Sequence, residues 1–183
     1  MTVTQDDIKQ AHQRIQPYIH CTPILQSTQL NKLFTCELFF KADNMQKVGA
    51  FKARGACNAL FSMTQEALAN GVITHSSGNH GAALAWAAAM RKASCTVVMP
   101  ENAPQAKMDA VLSYGATVVY CEPTMTAREG TVTRLIEQQG ARLVHPYDDD
   151  LIIAGQGTAT LETLAQLDKP ADVLMTPVGG GGL

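Results

Sequence analysis

The strongest constraint on the fold is an alternation that runs through the middle of the chain. Short β-branched segments at residues 72–74, 95–99, 116–120 and 142–144 are separated by helix-forming stretches at 80–90, 104–113 and 126–139. Apolar strands that alternate with helices of ten or more residues predict a parallel sheet covered on both faces. This α/β unit spans about residues 67–147.

The flanking segments are more mixed. Thr4 caps a first helix, with Asp7 as its capping-box partner and Ile8, Ala11 and Ile15 on one face, and Pro17 ends it. Pro23 biases Thr22 away from helix, so residues 20–25 read as extended. Ser27 caps a short helix, residues 37–42 read as a strand, and residues 53–62 as a helix. After the α/β unit, the acid run Asp148-Asp149-Asp150 reads as a solvated helix start more readily than as a metal cluster. Gly155-Gln156-Gly157-Thr158 is expected to break the chain before another helix. Residues 172–176 read as a strand leading into Gly179, Gly180, Gly181 and Gly182.

Composition excludes several classes. An apolar share of 46% against 16% charged residues argues for a packed core and against disorder. Net charge is −2 with 5% aromatic residues and no basic block, so no nucleic-acid partner is expected. The most apolar window, residues 82–90, is too short to span a bilayer, and no membrane association is expected. The N-terminus lacks the basic and apolar regions of a signal peptide. Five scattered cysteines, never in a Cys-x-x-Cys pair, fit a reducing cytoplasm and small buried hydrophobes rather than a zinc site.

Three places could carry chemistry. Lys52 follows the loop Gln46-Lys47-Val48-Gly49-Ala50-Phe51 and opens a helix. The positive end of the helix dipole and the nearby cation of Arg54 would both favour its free amine, the form an imine-forming lysine needs. The alternative is a solvated surface lysine. Thr74-His75-Ser76-Ser77-Gly78-Asn79-His80-Gly81 joins a strand to a helix, where open α/β sheets bind ligands. Its hydroxyls, amide and free helix N–H groups suit an anion, and equally suit a capped turn. It is not a hydrolase elbow, because neither serine has a glycine two residues before it. The glycine run is either an anion nest or a loose terminus, and no Gly-Lys-Ser/Thr follows to make it a nucleotide loop. A reactive amine, an anion-binding turn and a phosphate nest together suit pyridoxal phosphate.

These stretches carry a family resemblance. His20-Cys-Thr-Pro-Ile-Leu, Gln46-Lys-Val-Gly-Ala-Phe-Lys-Ala-Arg-Gly-Ala, Ser76-Ser-Gly-Asn-His-Gly, Ala154-Gly-Gln-Gly-Thr and Pro177-Val-Gly-Gly-Gly-Gly resemble, in order and spacing, the fold-type-II pyridoxal-phosphate enzymes. The chain is most similar to the branch of serine racemases, serine/threonine dehydratases and threo-3-hydroxyaspartate ammonia-lyases. The resemblance implies a two-domain, tryptophan-synthase-β-like α/β architecture. Residues 67–147 would form a complete smaller domain. Residues 1–66 and 148–183 would form an incomplete larger, cofactor-binding one.

The resemblance also implies roles. Lys52 would hold the cofactor as a Schiff base and Phe51 would pack beside its ring. Asn79 would bond the ring hydroxyl, and Gly179, Gly180, Gly181 and Gly182 would hold the phosphate. Ser76, Ser77, Asn79 and His80 would receive the substrate, and Arg128 falls where racemases place an arginine near it. Racemisation needs a proton donor or acceptor on each face of the α-carbon, so Lys52 and Ser77 are the expected catalytic pair. Serine, threonine and 3-hydroxyaspartate all remain open as substrates. The alternatives are a threonine dehydratase proper and a non-catalytic truncated fragment. No metal site is expected within these residues, although relatives carry a divalent-metal site beyond the tetraglycine. A homodimer is expected at full length.

Overall fold

The computed structural model describes residues 3–76 and 78–183, so the reading of Ser77 falls outside the described residues. Helix α1 (Gln5–Ile15) starts on the expected capping box, with Thr4 and Asp7 exchanging hydrogen bonds. It buries Ala11 and Ile15. Strand β1 (Ile24–Leu25), helix α2 (Thr28–Phe34, capped by Ser27) and strand β2 (Phe40–Lys41) follow. Only two residues of the strand expected at 37–42 are paired, antiparallel to β1. Two short 3-10 turns then lead to α3 (Lys52–Phe61). Val48, in the second of them, has φ 56°, a left-handed conformation that is strained for a β-branched residue.

The middle of the chain is the expected alternation. Strand β3 (Val72–His75), helix α4 (Asn79–Met90), strand β4 (Cys95–Pro100), helix α5 (Gln105–Ser113), strand β5 (Thr117–Cys121), helix α6 (Met125–Gln139) and strand β6 (Arg142–Leu143) follow one another. Pro104, expected in the first turn of α5, instead takes its N-cap position. The sheet has the order β5-β4-β3-β6, and every pair in it is parallel. Successive strand residues face opposite sides. Val72, Val97 and Met99 therefore pack with α3, α4 and α5 residues, whereas Ile73 and Val98 pack with Val132 and Leu135 of α6. Two apolar layers sandwich the sheet.

Helix α7 (Asp150–Gln166) corrects one expectation. It runs unbroken through Gly155-Gln156-Gly157-Thr158. Those glycines allow close approach to neighbours. A β-carbon on Gly157 would stand 2.8 Å from Ile8, and one on Gly155 2.6 Å from the α-carbon of Gly55 in α3. Gln156 is fully buried at the same crossing and accepts a hydrogen bond from the Gly55 N–H. The acid run opens this helix, with Asp149 accepting from the N–H groups of Leu151 and Ile152. Among the described residues no group of three or more His, Cys, Asp and Glu could hold a metal ion.

The strand expected at residues 172–176 does not form. That segment has no ladder partner among the described residues, and Val173, Leu174 and Met175 stand 75%, 54% and 80% exposed. An extended segment becomes a strand only by pairing.

Candidate active site

The strand order fixes where a ligand can sit. From β3 the chain builds outward through β4 to β5, then returns to place β6 on the other side of β3. A crevice opens at such a reversal, outside the carboxyl ends of the strands, because the connections leave in opposite directions. The segments leaving β3 and β6 there are the serine-rich turn and residues 144–147. No helix of the described residues is long and apolar enough to cross a membrane.

Residues 144–147 gather the site. The Val144 carbonyl meets His80 Nε2 at 3.3 Å, and the His145 ring stands edge-on to His75 with centroids 5.4 Å apart. The Pro146 carbonyl accepts from Lys52 Nζ at 2.5 Å. The Tyr147 ring lies edge-on to His145 at 4.6 Å and against Gly180, and the Tyr147 backbone and Cβ lie against Gly182. Four consecutive residues thus tie the lysine, the turn and the glycine run together. Sequence reading passed over Pro146 and Tyr147; their position directly after a strand, at its carboxyl end, was the available signal.

Lys52 opens α3, half-buried, with its amine 5.2 Å from the centre of the Phe51 ring. Burial lowers its pKa from the usual 10.5, which favours the free amine. Arg54 plays no such part. Its guanidinium is fully buried and bonded to Asp43 through Nε at 2.8 Å and to Glu162 through Nη1 and Nη2, both at 3.1 Å. Lys41 bonds the same Glu162 carboxylate. Two cations and two carboxylates neutralise one another, and the cluster ties the lysine loop and α3 to α7.

Phe51, Lys52, Tyr147, Pro177, Gly179, Gly180, Gly181 and Gly182 line one cavity of about 260 Å³. Nothing stands within 4 Å of where a β-carbon would sit on Gly179 or Gly181, so their backbones are open to an anion. A desolvated amine beside a glycine run whose Gly179 and Gly181 backbones are open fits the aldehyde and the phosphate of pyridoxal phosphate.

The turn after β3 lies at the other side of residues 144–147. Ser76 Oγ accepts from the Gly78 N–H at 3.2 Å, and Gly78 precedes α4 with no side chain capping it. The first N–H groups of α4, beginning with exposed Asn79, have no acceptor within the helix. Burial lowers the pKa of His80 to about 3, so its ring is neutral. A carbonyl can only accept, so the contact with Val144 puts the proton on Nε2 and leaves Nδ1 as a bare acceptor without a partner. The donor that His80 offers to a carboxylate is therefore its backbone N–H.

Arg128, on α6, approaches from the opposite face of the sheet. Its charge helps to lower the pKa of His75, after burial and the neighbouring His145, and its Nε is buried without a partner.

Comparison with known proteins agrees with this geometry. The family model described as pyridoxal-phosphate dependent enzyme matches residues 15–183. The chain belongs to this family. It is 54% identical over 182 residues to the serine racemase of Dictyostelium discoideum, covering 100% of this chain and 56% of that protein. It is 48% identical over 180 residues to the beta-hydroxyaspartate dehydratase of Paracoccus denitrificans, covering 98% and 57% respectively. The crystal structure of the Dictyostelium serine racemase superposes with a TM-score of 0.94 at 53% identity, covering all of this chain and 59% of that one. The chain thus spans little more than half the length of the family members it matches, and the architecture is that of their fold-type-II class.

Proposed function

We propose that this chain is the lysine-bearing part of a pyridoxal-phosphate-dependent racemase or ammonia-lyase acting on small β-hydroxy amino acids. The observation that carries the proposal is the desolvated Lys52 amine at a cavity walled by the four glycines, beside the topological reversal of the sheet. Similarity to a serine racemase and to a beta-hydroxyaspartate dehydratase supports the substrate class.

In this reading Lys52 holds the cofactor, Phe51 packs beside it, and Gly179, Gly180, Gly181 and Gly182 take its phosphate. Pyridoxal phosphate supplies an electron sink for the α-carbon of a bound amino acid. Lys52 Nζ removes the α-proton on one face, and burial, which favours its neutral form, equips it to do so. Ser76, Asn79 and the first N–H groups of α4 orient the substrate carboxylate, and Ser77 returns a proton on the opposite face. Asn79 serves the ring hydroxyl as well. Return of the proton gives the other enantiomer; loss of the β-hydroxyl as water, followed by hydrolysis of the resulting enamine, gives a keto acid and ammonia.

The proposal divides the protein into a smaller domain at residues 67–147 and a larger one built on residues 1–66 and 148–183. It makes the whole protein a homodimer. It also places the protein in a reducing cytoplasm, a reading supported by five free cysteines.

The test is uptake of the cofactor. Wild-type protein titrated with pyridoxal phosphate should gain the visible-edge absorption of an imine, and borohydride should fix the label on Lys52. In Lys52→Ala both should vanish; a covalent adduct that survives the substitution defeats the assignment. The exposed Val173, Leu174 and Met175 favour a second reading, a fragment that leaves cofactor unbound. Stoichiometric uptake with turnover excludes it.

A further inference from the structure

The four glycines of the run are not equivalent. A β-carbon on Gly180 would fall 2.4 Å from both Cγ and Cδ1 of Tyr147 and 2.7 Å from its Cδ2. One on Gly182 would fall 2.8 Å from the Tyr147 α-carbon and 2.8 Å from its Cβ. On Gly179 or Gly181 a β-carbon would meet nothing within 4 Å. Tyr147 therefore covers alternate glycines on the side where a side chain would project, and it leaves the other two open. No side chain fits at position 180 while the ring is in place.

The ring is itself held. Tyr147 lies edge-on to His145, and His145 lies edge-on to His75, the last residue of β3. Edge-to-face contact sets the positive rim of one ring against the negative face of the next. His145 is pinned in turn, because its Nδ1 accepts from the Asp148 N–H at 2.8 Å. A row of three rings thus runs from a paired strand of the sheet to residues 179–183, which belong to no helix or strand.

Support of this kind matters most for glycine. Glycine loses more conformational freedom on ordering than any other residue, and a loose run would incur that loss each time an anion bound. A run already ordered avoids it, which raises affinity without adding a contact to the ligand.

We propose that Tyr147 is the positioning residue of the phosphate site. Its ring and backbone order the glycine run before the cofactor arrives, and they turn the open backbones of Gly179 and Gly181 to the phosphate. This rests on the function proposed above. The role is confined to the phosphate end of the cavity: attachment of an aldehyde to Lys52 does not depend on it, and the phenol hydroxyl takes no part.

Comparing pyridoxal phosphate with pyridoxal, which lacks the phosphate, reads the glycine run apart from Lys52. Spectrophotometric titration of each variant gives both affinities, and borohydride fixation with mass spectrometry places the label. Wild-type protein should prefer the phosphate ester. Tyr147→Ala should lower that preference about tenfold, the cost of ordering one backbone residue, by weakening pyridoxal phosphate and leaving pyridoxal unchanged. Tyr147→Phe should keep it. Gly180→Ala drives a methyl group into the ring and should cause the same loss. In the Tyr147→Ala background it should add no further loss, because the space is vacant. The proposal is overturned if Tyr147→Ala keeps the preference, if it weakens both aldehydes equally, or if the two losses add in the double variant. Wild-type protein that labels Lys52 with neither aldehyde defeats the function proposed above, and this inference with it.

Discussion

Gly55 and Gly155 face each other where α3 crosses α7, so close that a β-carbon on Gly155 would fall 2.6 Å from the Gly55 α-carbon and 2.8 Å from the Arg54 carbonyl oxygen. The obstacle is backbone, which cannot rotate aside. Gly155→Ala must separate the helices, and over-packing of this kind costs about 1–3 kcal/mol. Urea denaturation should show the loss as a lowered midpoint. Because Lys52 begins α3, cofactor uptake should weaken in the same variant even under conditions where it stays folded.

The buried ion cluster predicts acid lability. Burial raises the pKa of Glu162, but hydrogen bonds from Arg54 and Lys41 outweigh it and leave the group below its usual 4.5. A carboxylate with a lowered pKa stabilises the fold fully above its unfolded value. That contribution fades as pH falls from 4.5 through the folded value, where native and unfolded chains bind the proton alike. Stability measured against pH should therefore drop across that window. Glu162→Gln should flatten the drop and cost about 3–5 kcal/mol near neutrality, since it leaves buried Arg54 under-compensated.

Lys52 should titrate in the opposite sense to a paired lysine. Its pKa is lowered by burial from 10.5, so the unfolded chain binds more protons between the two values, and stability rises with pH across that interval. Competitive reductive methylation followed by mass spectrometry should find Lys52 reactive at a lower pH than exposed Lys9 or Lys92. Equal reactivity among the three would remove burial as the source of its free amine.

Ser77 is expected to act on one proton only. In the cofactor-loaded whole protein, Ser77→Ala should abolish racemisation, read by chiral chromatography, while keto-acid release largely persists. Parallel loss of both would withdraw the serine from its role as the second acid–base group.

The local signals were legible where the chain's own neighbours decide structure. Thr4, Ser27 and Asp149 cap helices because a cap acts within three residues, and the β-branched runs became strands because their partners lie within the same alternation. The misreadings involve partners far along the chain. Gly155 and Gly157 read as a break because the sequence does not show that Gly55 and Ile8 fill the space their side chains would occupy. Arg54 read as a bare cation because its carboxylates, Asp43 and Glu162, lie 11 and 108 residues away.

The sequence alone therefore determined the α/β class and the family, and singled out Lys52 as the lysine proposed to be reactive, since those rest on periodicity and on short motifs. Tertiary structure decided how far Lys52 is buried and what surrounds it. Burial lowers the pKa of its amine, the Pro146 carbonyl accepts a hydrogen bond from it, and residues 144–147 join it to the turn and the glycines. Desolvation and proximity are properties of the packed chain, and a one-dimensional pattern does not contain them.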